Sequence, residues 1–176
     1  VLSIFVIFGS VSWVLLSLFL PYYAPVILRQ SSYLYALDAV PWLLGGGLLL
    51  GIFYNLSIWY KLTDRTKSGA LVSILGAVST LVLNWVLIPK FGYMGCAYAT
   101  SISYLFMVTI SYVLGRKFYP VPYQLRLVVF IMSLSALVIY LGTILTGIVV
   151  KMILAFTFIF LIYFIGSRYV HLRADQ

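Results

Sequence analysis

Charged residues are scarce in this sequence, and cysteine and histidine each occur once. Only 8% of the 176 residues are charged, and the acids are three aspartates, Asp38, Asp64 and Asp175. The single cysteine, Cys96, excludes an intrachain disulfide, and the single histidine, His171, leaves no Cys/His cluster for zinc. We therefore expect no metal site and no cofactor.

Apolar residues are abundant instead. They make up 64% of the chain, and the mean hydropathy is +1.15 over its whole length. Soluble domains have roughly 45–50% apolar and about 25% charged residues. The sequence therefore predicts an all-α fold, a polytopic membrane helix bundle with about six transmembrane helices of ~20 residues each. The predicted spans are 1–20, ending at Pro21, then 40–60, 70–88, 96–114, 127–147 and 149–169.

No catalytic constellation accompanies these spans. The predicted topology places the three aspartates at different edges of the membrane, so no paired-carboxylate mechanism is available. Serine and threonine are plentiful but have no neighbouring base, and no glycine-rich phosphate-binding motif occurs. We expect no catalytic residues and a protein that is not an enzyme. Because the chain starts at Val1 within an apolar run, we also expect it to be the C-terminal piece of a longer polypeptide.

The basic residues are divided unequally between the two sides of the predicted membrane. The net charge is +8, but the charges fall between apolar runs rather than in a water-exposed patch, which argues against nucleic acid as a partner. Lysine and arginine favour cytoplasmic loops, so the richer side and the C-terminus are predicted to be cytoplasmic. That side carries Lys61, Arg65, Lys67, Arg116, Lys117, Arg126, Arg168 and Arg173; the other carries Arg29, Lys90 and Lys151.

Small residues predict which helix faces pack together. Gly47 and Gly51 lie four residues apart in the second span, and segment 69–77 of the third span repeats small residues at the same spacing. The fourth span opens with alanines and hydroxyl residues from Ala97 to Ser103 and is predicted to pack against another helix. The last two spans, rich in Leu, Ile, Val and Phe, are predicted to be peripheral and to face lipid.

Four residues are candidates for substrate binding. Asn55 and Asn84 are polar residues within spans, where such groups face either a neighbouring helix or a polar cavity. Arg29 and Lys61, on opposite sides, could bind an anionic substrate such as a pyrophosphate-linked lipid. For Lys61 topogenesis is the simpler explanation, and for Arg29 an alternative is that the side chain reaches the lipid headgroups.

The run from Asn84 to Thr100, NWVLIPKFGYMGCAYAT, carries a recognisable pattern. It resembles the signature of bacterial polysaccharide-biosynthesis flippases, which belong to the multidrug/oligosaccharidyl-lipid/polysaccharide exporter superfamily. Cys96 and Tyr98 depart from that pattern. Physically, the run predicts a tight turn between helices, in which Pro89 ends one helix, and Gly92 and Gly95 adopt backbone angles that other residues resist.

The resemblance implies a MATE-like transporter of twelve to fourteen helices in two lobes, located in the inner (plasma) membrane. Residues 1–114 would be the last four helices of the second lobe, and 115–176 an additional C-terminal helix pair with a cytoplasmic tail. The implied activity is flipping of lipid-linked oligosaccharide repeat units for cell-surface polysaccharides such as O-antigen, by alternating access. The implied partners are a polyprenyl-pyrophosphate-linked oligosaccharide, membrane lipids, and polysaccharide polymerase and assembly proteins.

Two other functions stay open from the sequence. A membrane glycosyltransferase or polymerase of the same pathway would normally carry a large outer loop or acids at a span end, whereas the longest outer connection here, 21–38, has one acid at Asp38. A drug/cation antiporter of the same superfamily would be favoured by acids inside helices that precede this sequence.

Overall fold

The computed structural model describes residues 2–28, 31–118, 125–145 and 147–174, without the side chains of 31–33 and 166–174. Within these residues the chain is helical, and six helical segments are long and apolar enough to span a membrane. This is the architecture of a multi-pass membrane protein. The helices are α1 (Leu2–Ile27), α2 (Val40–Leu56), α3 (Ile58–Leu62), α4 (Thr66–Phe91), α5 (Tyr93–Phe118), α6 (Leu125–Ile144) and α7 (Ile148–Ala174), and a 3-10 helix covers Ser31–Ala39.

The chain passes back and forth between the two ends of the bundle. We call the end with the α4–α5 turn and the 3-10 helix the turn end. We call the opposite end, where α3 meets α4 and α5 stops, the basic end. Among the described side chains the basic end carries Lys61, Arg65, Lys67, Arg116, Lys117 and Arg126.

Two prolines lie inside α1 rather than at its end. The prediction that the first span stops at Pro21 is wrong, because the helix continues through Pro21 and Pro25. Proline has no N–H, so Pro21 cannot donate to the carbonyl of Ser17. Membrane helices tolerate such breaks when nearby groups supply other hydrogen bonds. The Tyr23 hydroxyl donates to the Leu16 carbonyl at 3.0 Å, next to the Ser17 carbonyl that Pro21 leaves without its helical donor.

The α4–α5 turn depends on two glycines in different ways. The third span does not end at Pro89, since α4 continues to Phe91. Gly92 follows with φ +59°, an angle that strains side-chain-bearing residues, and its N–H donates to the Ile88 carbonyl at 2.8 Å. Gly95 is part of α5 and is buried, and a methyl group there would collide with the Leu87 carbonyl. The second glycine therefore permits close approach of two helices rather than an unusual backbone angle.

Helix α5 lies between α2 and α4, and small residues make this possible. Its buried positions recur every four residues at Gly95, Ala99, Ser103, Met107, Ser111 and Gly115. On the α4 side the hydroxyls of Ser103 and Ser79 are 3.4 Å apart. The prediction that the fourth span packs through its small residues is confirmed.

The small residues of the second and third spans behave differently from the prediction. Ser73 and Ala77 are exposed, and α4 instead buries Val72 and Gly76, which each lie one residue earlier in the sequence. Gly47 is exposed, and a Cβ atom added there would have no neighbour within 4 Å. Gly51, in contrast, lies against the Phe5 ring. Four-residue spacing alone does not distinguish a packed face from the adjacent exposed face.

The last two spans join the core of the bundle. Helix α6 packs along α1 and buries a larger share of its residues than α4 does. Ile131 of α6 is fully buried, in a cluster with Val6 and Val14 of α1 and Phe158 of α7. The prediction that this pair is peripheral is therefore wrong for α6, whereas most of the described part of α7 is exposed, and the most exposed of the six spans is α4.

Replacing Gly95 with alanine should destabilise the protein, since the new methyl group would meet backbone atoms of α4 that cannot rotate away. We expect a loss of about 1–3 kcal/mol, the usual range for an overpacked contact. The measurement is the thermal unfolding midpoint in detergent. Gly47→Ala is the matched control, because its methyl group meets nothing within 4 Å. Equal midpoints for the two variants would contradict the close approach of α4 and α5.

Candidate functional site

A cavity of about 620 Å³ opens at the turn end of the bundle. Its walls come from α1, the 3-10 helix, α2, α6 and the N-terminal part of α5, so it depends on the packing of α6 against α1. Most of the wall is apolar. The lining residues are Trp13, Ser17, Leu20, Pro21, Leu37, Asp38, Pro41, Trp42, Gly45, Leu49, Met94, Ser101, Met132, Ala136, Ile139, Tyr140 and Thr143.

The first turn of α2 anchors this cavity through its carbonyl groups. The Trp13 indole N–H donates to the Pro41 carbonyl at 2.7 Å, which joins α1 to α2. The Ser101 hydroxyl donates to the Trp42 carbonyl at 2.9 Å, which joins α5 to α2. Gly45 leaves room for the indole, because a Cβ there would lie 2.7 Å from the ring of Trp13. Three helices are thus held at fixed separation around the cavity.

Aromatic side chains cluster beside the cavity at the turn end. The Trp42 and Tyr98 rings meet edge to face with centroids 4.9 Å apart, and Tyr98 meets Phe91 in the same way at 5.9 Å. The Tyr93 hydroxyl donates to the Tyr35 carbonyl at 2.8 Å. These contacts connect the α4–α5 turn to the 3-10 helix, which carries Asp38. The position of Asp38 therefore depends on the same turn.

Only a few polar groups belong to the cavity wall. The Ser17 hydroxyl is buried and has no hydrogen-bond partner in the described part of the chain. The Thr143 hydroxyl donates to the Tyr140 carbonyl within its own helix, at 2.7 Å. Asp38 is exposed and is the only charged residue among those described as lining the cavity. Its described lining therefore combines one negative charge with a mainly apolar surface.

None of the three described substrate-binding candidates, Asn55, Asn84 and Lys61, lines this cavity. Asn55 donates from its amide to the Gly51 carbonyl at 3.0 Å, so it satisfies its own helix rather than a neighbour. The Asn84 side-chain oxygen is buried without a partner among the described residues. Lys61 is exposed at the basic end. Arg29 lies outside the described residues. Because α5 separates α2 from α4, the two asparagines are not brought together.

The sequence did contain a signal for the cavity that composition alone does not reveal. Pro21 and Pro25 follow Ser17 at four-residue intervals within one helix, which removes two successive helical hydrogen bonds from the same face. Broken hydrogen bonding at membrane depth is tolerated where it borders protein or a water-filled cavity. The proline spacing could therefore have pointed to this stretch of α1.

The basic end carries a second group of side chains, arranged around aromatic rings. The Arg65 guanidinium lies 3.9 Å from the centre of the Phe118 ring, and Phe118 in turn stacks on Trp59 at 6.0 Å. The Tyr60 hydroxyl donates to Ser111 at 3.3 Å. Trp59 and Tyr60 are buried while Arg65 is exposed. Arg65 therefore packs on an aromatic cluster while it remains exposed to solvent.

Neither the protein-family models nor the curated proteins nor the solved structures compared with this chain gave a match.

Replacing Trp13 with phenylalanine should destabilise the turn end, because the Pro41 carbonyl loses its indole donor and the ring is smaller. We expect a loss of about 1 kcal/mol, the typical contribution of a hydrogen bond, and a midpoint lower by roughly 2–4 °C. The control is Trp85→Phe, since Trp85 is 81% exposed. A midpoint shift in the Trp85 variant as large as that in the Trp13 variant would rule out a specific contribution from the Trp13 hydrogen bond.

Proposed function

We propose that this chain is the C-terminal portion of a flippase that moves lipid-linked oligosaccharides across the inner membrane for cell-surface polysaccharide synthesis. In this proposal the complete protein is a MATE-like transporter of twelve to fourteen helices. Residues 1–114 supply the last four helices of its second lobe, and residues 115–176 supply an additional pair. The chain transports its substrate and does not alter it chemically.

The α4–α5 hairpin is the observation that carries the proposal. The run Asn84–Thr100, on which the family resemblance rests, coincides with this hairpin. Gly92 has the positive φ of the turn, and Gly95 and Ala99 are buried at the helix contact. The residues that resemble the flippase signature are thus the ones for which this hairpin has a steric requirement, which supports a structural rather than a coincidental likeness.

The distribution of basic residues suggests from which side the substrate would enter. Six described lysines and arginines lie at the basic end, which we take to be cytoplasmic together with the C-terminus. A polyprenyl-pyrophosphate substrate is made on that side and is anionic, so a positive potential there raises its local concentration. Lys61 and Arg65 are the residues we assign to first contact, because both are exposed and lie next to the start of α4.

The headgroup then has to cross between lobes while the polyprenyl tail stays in lipid. A polar group in a span is stable only against protein or water. We assign Asn84 to this path because its buried side-chain oxygen has no partner among the described residues. Asn55 is already bonded to Gly51, so we assign it a smaller part. Arg29, outside the described residues, keeps its assignment from the sequence.

Complementation tests the proposal directly. The full-length protein that contains this chain is expressed in a strain that lacks its own flippase, and surface polysaccharide and lipid-linked repeat units are measured on each membrane face. Restored surface polymer, with the lipid intermediate held on the cytoplasmic face when the protein is missing, is the expected result. If the intermediate reaches the outer face unpolymerised in the strain without the protein, flipping is refuted and polymerisation takes its place.

The double variant Lys61→Ala with Arg65→Ala should reduce surface polymer severalfold in the same strain, because the basic end loses two of its exposed cations. Raising the salt concentration in a vesicle flipping assay should reduce the difference between variant and parent, since exposed charges are screened. Lys90→Ala, which removes an exposed cation from the turn end, is the control. Equal losses in the two variants would mean that the basic end has no special part in substrate capture.

A further inference from the structure

Lys151 places a positive charge on an otherwise apolar face of α7. It lies in the first turn of that helix and is 7% exposed, so it is the one charged residue that is buried among the described side chains. Ala155, Phe158 and Ile162 follow on the same face and belong to the apolar cluster shared with α1 and α6. Lys151 therefore occupies the position on this face that is nearest to the turn end.

The chain has no carboxylate that neutralises this lysine. Its three acids are Asp38, Asp64 and Asp175. Asp64 lies at the basic end, and Asp175 follows Ala174 at the far end of α7. Asp38 belongs to the turn end, but in the described part of the chain it forms no ion pair with Lys151. A charge that is removed from water without a counter-ion is unfavourable, so an anion from outside the chain would stabilise Lys151.

The ammonium group of Lys151 reaches the surface of the bundle. Its described contact is the face of the Tyr22 ring on α1, whose centre lies 5.3 Å away, and Tyr22 is itself exposed. Four buried side-chain atoms lack a partner among the described residues, and the Lys151 nitrogen is not one of them. The aliphatic stem is thus covered while the charged end stays accessible, as is usual for lysines near a membrane surface.

The start of α7 also favours a negative charge. The Lys151 N–H donates to the Gly147 carbonyl at 3.1 Å. The N–H groups of Ile148, Val149 and Val150 precede this bond and have no acceptor within α7. A helix N-terminus carries a partial positive charge, which repels a lysine in the first turn and attracts an anion. Because helical side chains lean toward the N-terminus, the ammonium and these N–H groups are directed to the same end of α7.

The exposed residues around Lys151 are apolar. Val26 lies one turn beyond Tyr22 on α1, and Val149 and Met152 lie next to Lys151 in the sequence of α7. The membrane span of α7 begins at Ile148, so Lys151 is only ~5 Å into it, close to the depth of lipid headgroups. An anion that carries hydrocarbon chains can cover these apolar side chains, whereas inorganic phosphate cannot.

We propose that Lys151 and the start of α7 bind the phosphate of an anionic glycerophospholipid in the leaflet at the turn end. The ammonium donates to the phosphate oxygens, and the Tyr22 ring holds it against α1 by cation–π attraction. The acyl chains lie on the exposed apolar residues of α1 and α7. A zwitterionic lipid binds more weakly, because its own ammonium is repelled by Lys151. The site uses none of the residues assigned to transport, so its failure would leave the proposed function standing.

Hydrogen exchange can measure occupancy at the site itself. The full-length protein is placed in nanodiscs of phosphatidylcholine, with or without phosphatidylglycerol, and exchange of the amides of residues 148–152 is followed by mass spectrometry. We expect severalfold slower exchange with phosphatidylglycerol, because its phosphate accepts from the free N–H groups. The amides of residues 89–94, in the α4–α5 turn, report the general effect of a charged membrane surface. Equal slowing of the two segments, or none at 148–152, would overturn the proposal.

Variants assign the slower exchange to Lys151. Lys151→Met removes the charge but keeps a long apolar stem, and it should abolish the effect of phosphatidylglycerol at residues 148–152. Its unfolding midpoint in phosphatidylcholine should not fall, since an unpaired buried charge is replaced by an apolar group. Lys151→Arg should retain the effect, as should the control Lys90→Met, which removes an exposed cation from the same end. Parental slowing in a folded Lys151→Met protein would show that the lipid does not bind there.

Inorganic phosphate distinguishes a lipid from a free anion. An excess of it, added to the protein in phosphatidylcholine nanodiscs, should leave the exchange of residues 148–152 unchanged, because the free anion does not cover the apolar residues around Lys151. Slowing as large as that with phosphatidylglycerol, lost in Lys151→Met, would identify a site for free phosphate and contradict the assignment to a lipid.

Discussion

Backbone hydrogen bonding within each helix is the constraint on which the rest of this structure depends. In hydrocarbon an unsatisfied N–H or C=O is costly by several kcal/mol, so spanning segments must satisfy these groups internally. The hydroxyl side chains follow the same rule: those of Thr80, Thr100 and Thr109 each donate to the carbonyl four residues earlier in their own helix. Few polar groups remain to join one helix to another. Contact between helices must then come from close packing of small residues, as α5 shows.

The fold class and the number of spans could be predicted from the sequence because both follow from composition and length. The ends of the first and third spans could not be predicted in the same way, because the helices continue past Pro21 and Pro89, where these ends were expected. Proline is a strong terminator in water, but in a membrane helix the neighbouring groups can supply other hydrogen bonds. The packed faces of α2 and α4 were also missed, because a glycine or serine repeat has the same spacing on a buried face as on an exposed one.

For the candidate site, less could be predicted from the sequence than for the fold. Asn55 and Asn84 were selected because polar residues in spans are unusual. An amide group in a span needs a hydrogen-bond partner, since burying it without one is unfavourable. The sequence does not reveal which group is the partner, and for Asn55 it is the Gly51 carbonyl of the same helix. The turn-end cavity is built mainly by α1, α2 and α6, and α6 is far from the other two in the sequence. Only the packing of α6 on α1 brings Met132 and Ile139 opposite Trp13.

The position of α5 between α2 and α4 has a mechanical consequence. Sliding α4 sideways would break one extensive helix–helix contact, that with α5, whereas displacing α5 would break two. Displacing α1 would break contacts with α2, α6 and α7. The helices are therefore held unequally: α4 has one extensive partner, whereas α5 and α1 each contact several helices. The α4–α5 turn, capped by Gly92, joins the helix with one extensive partner to the helix with two.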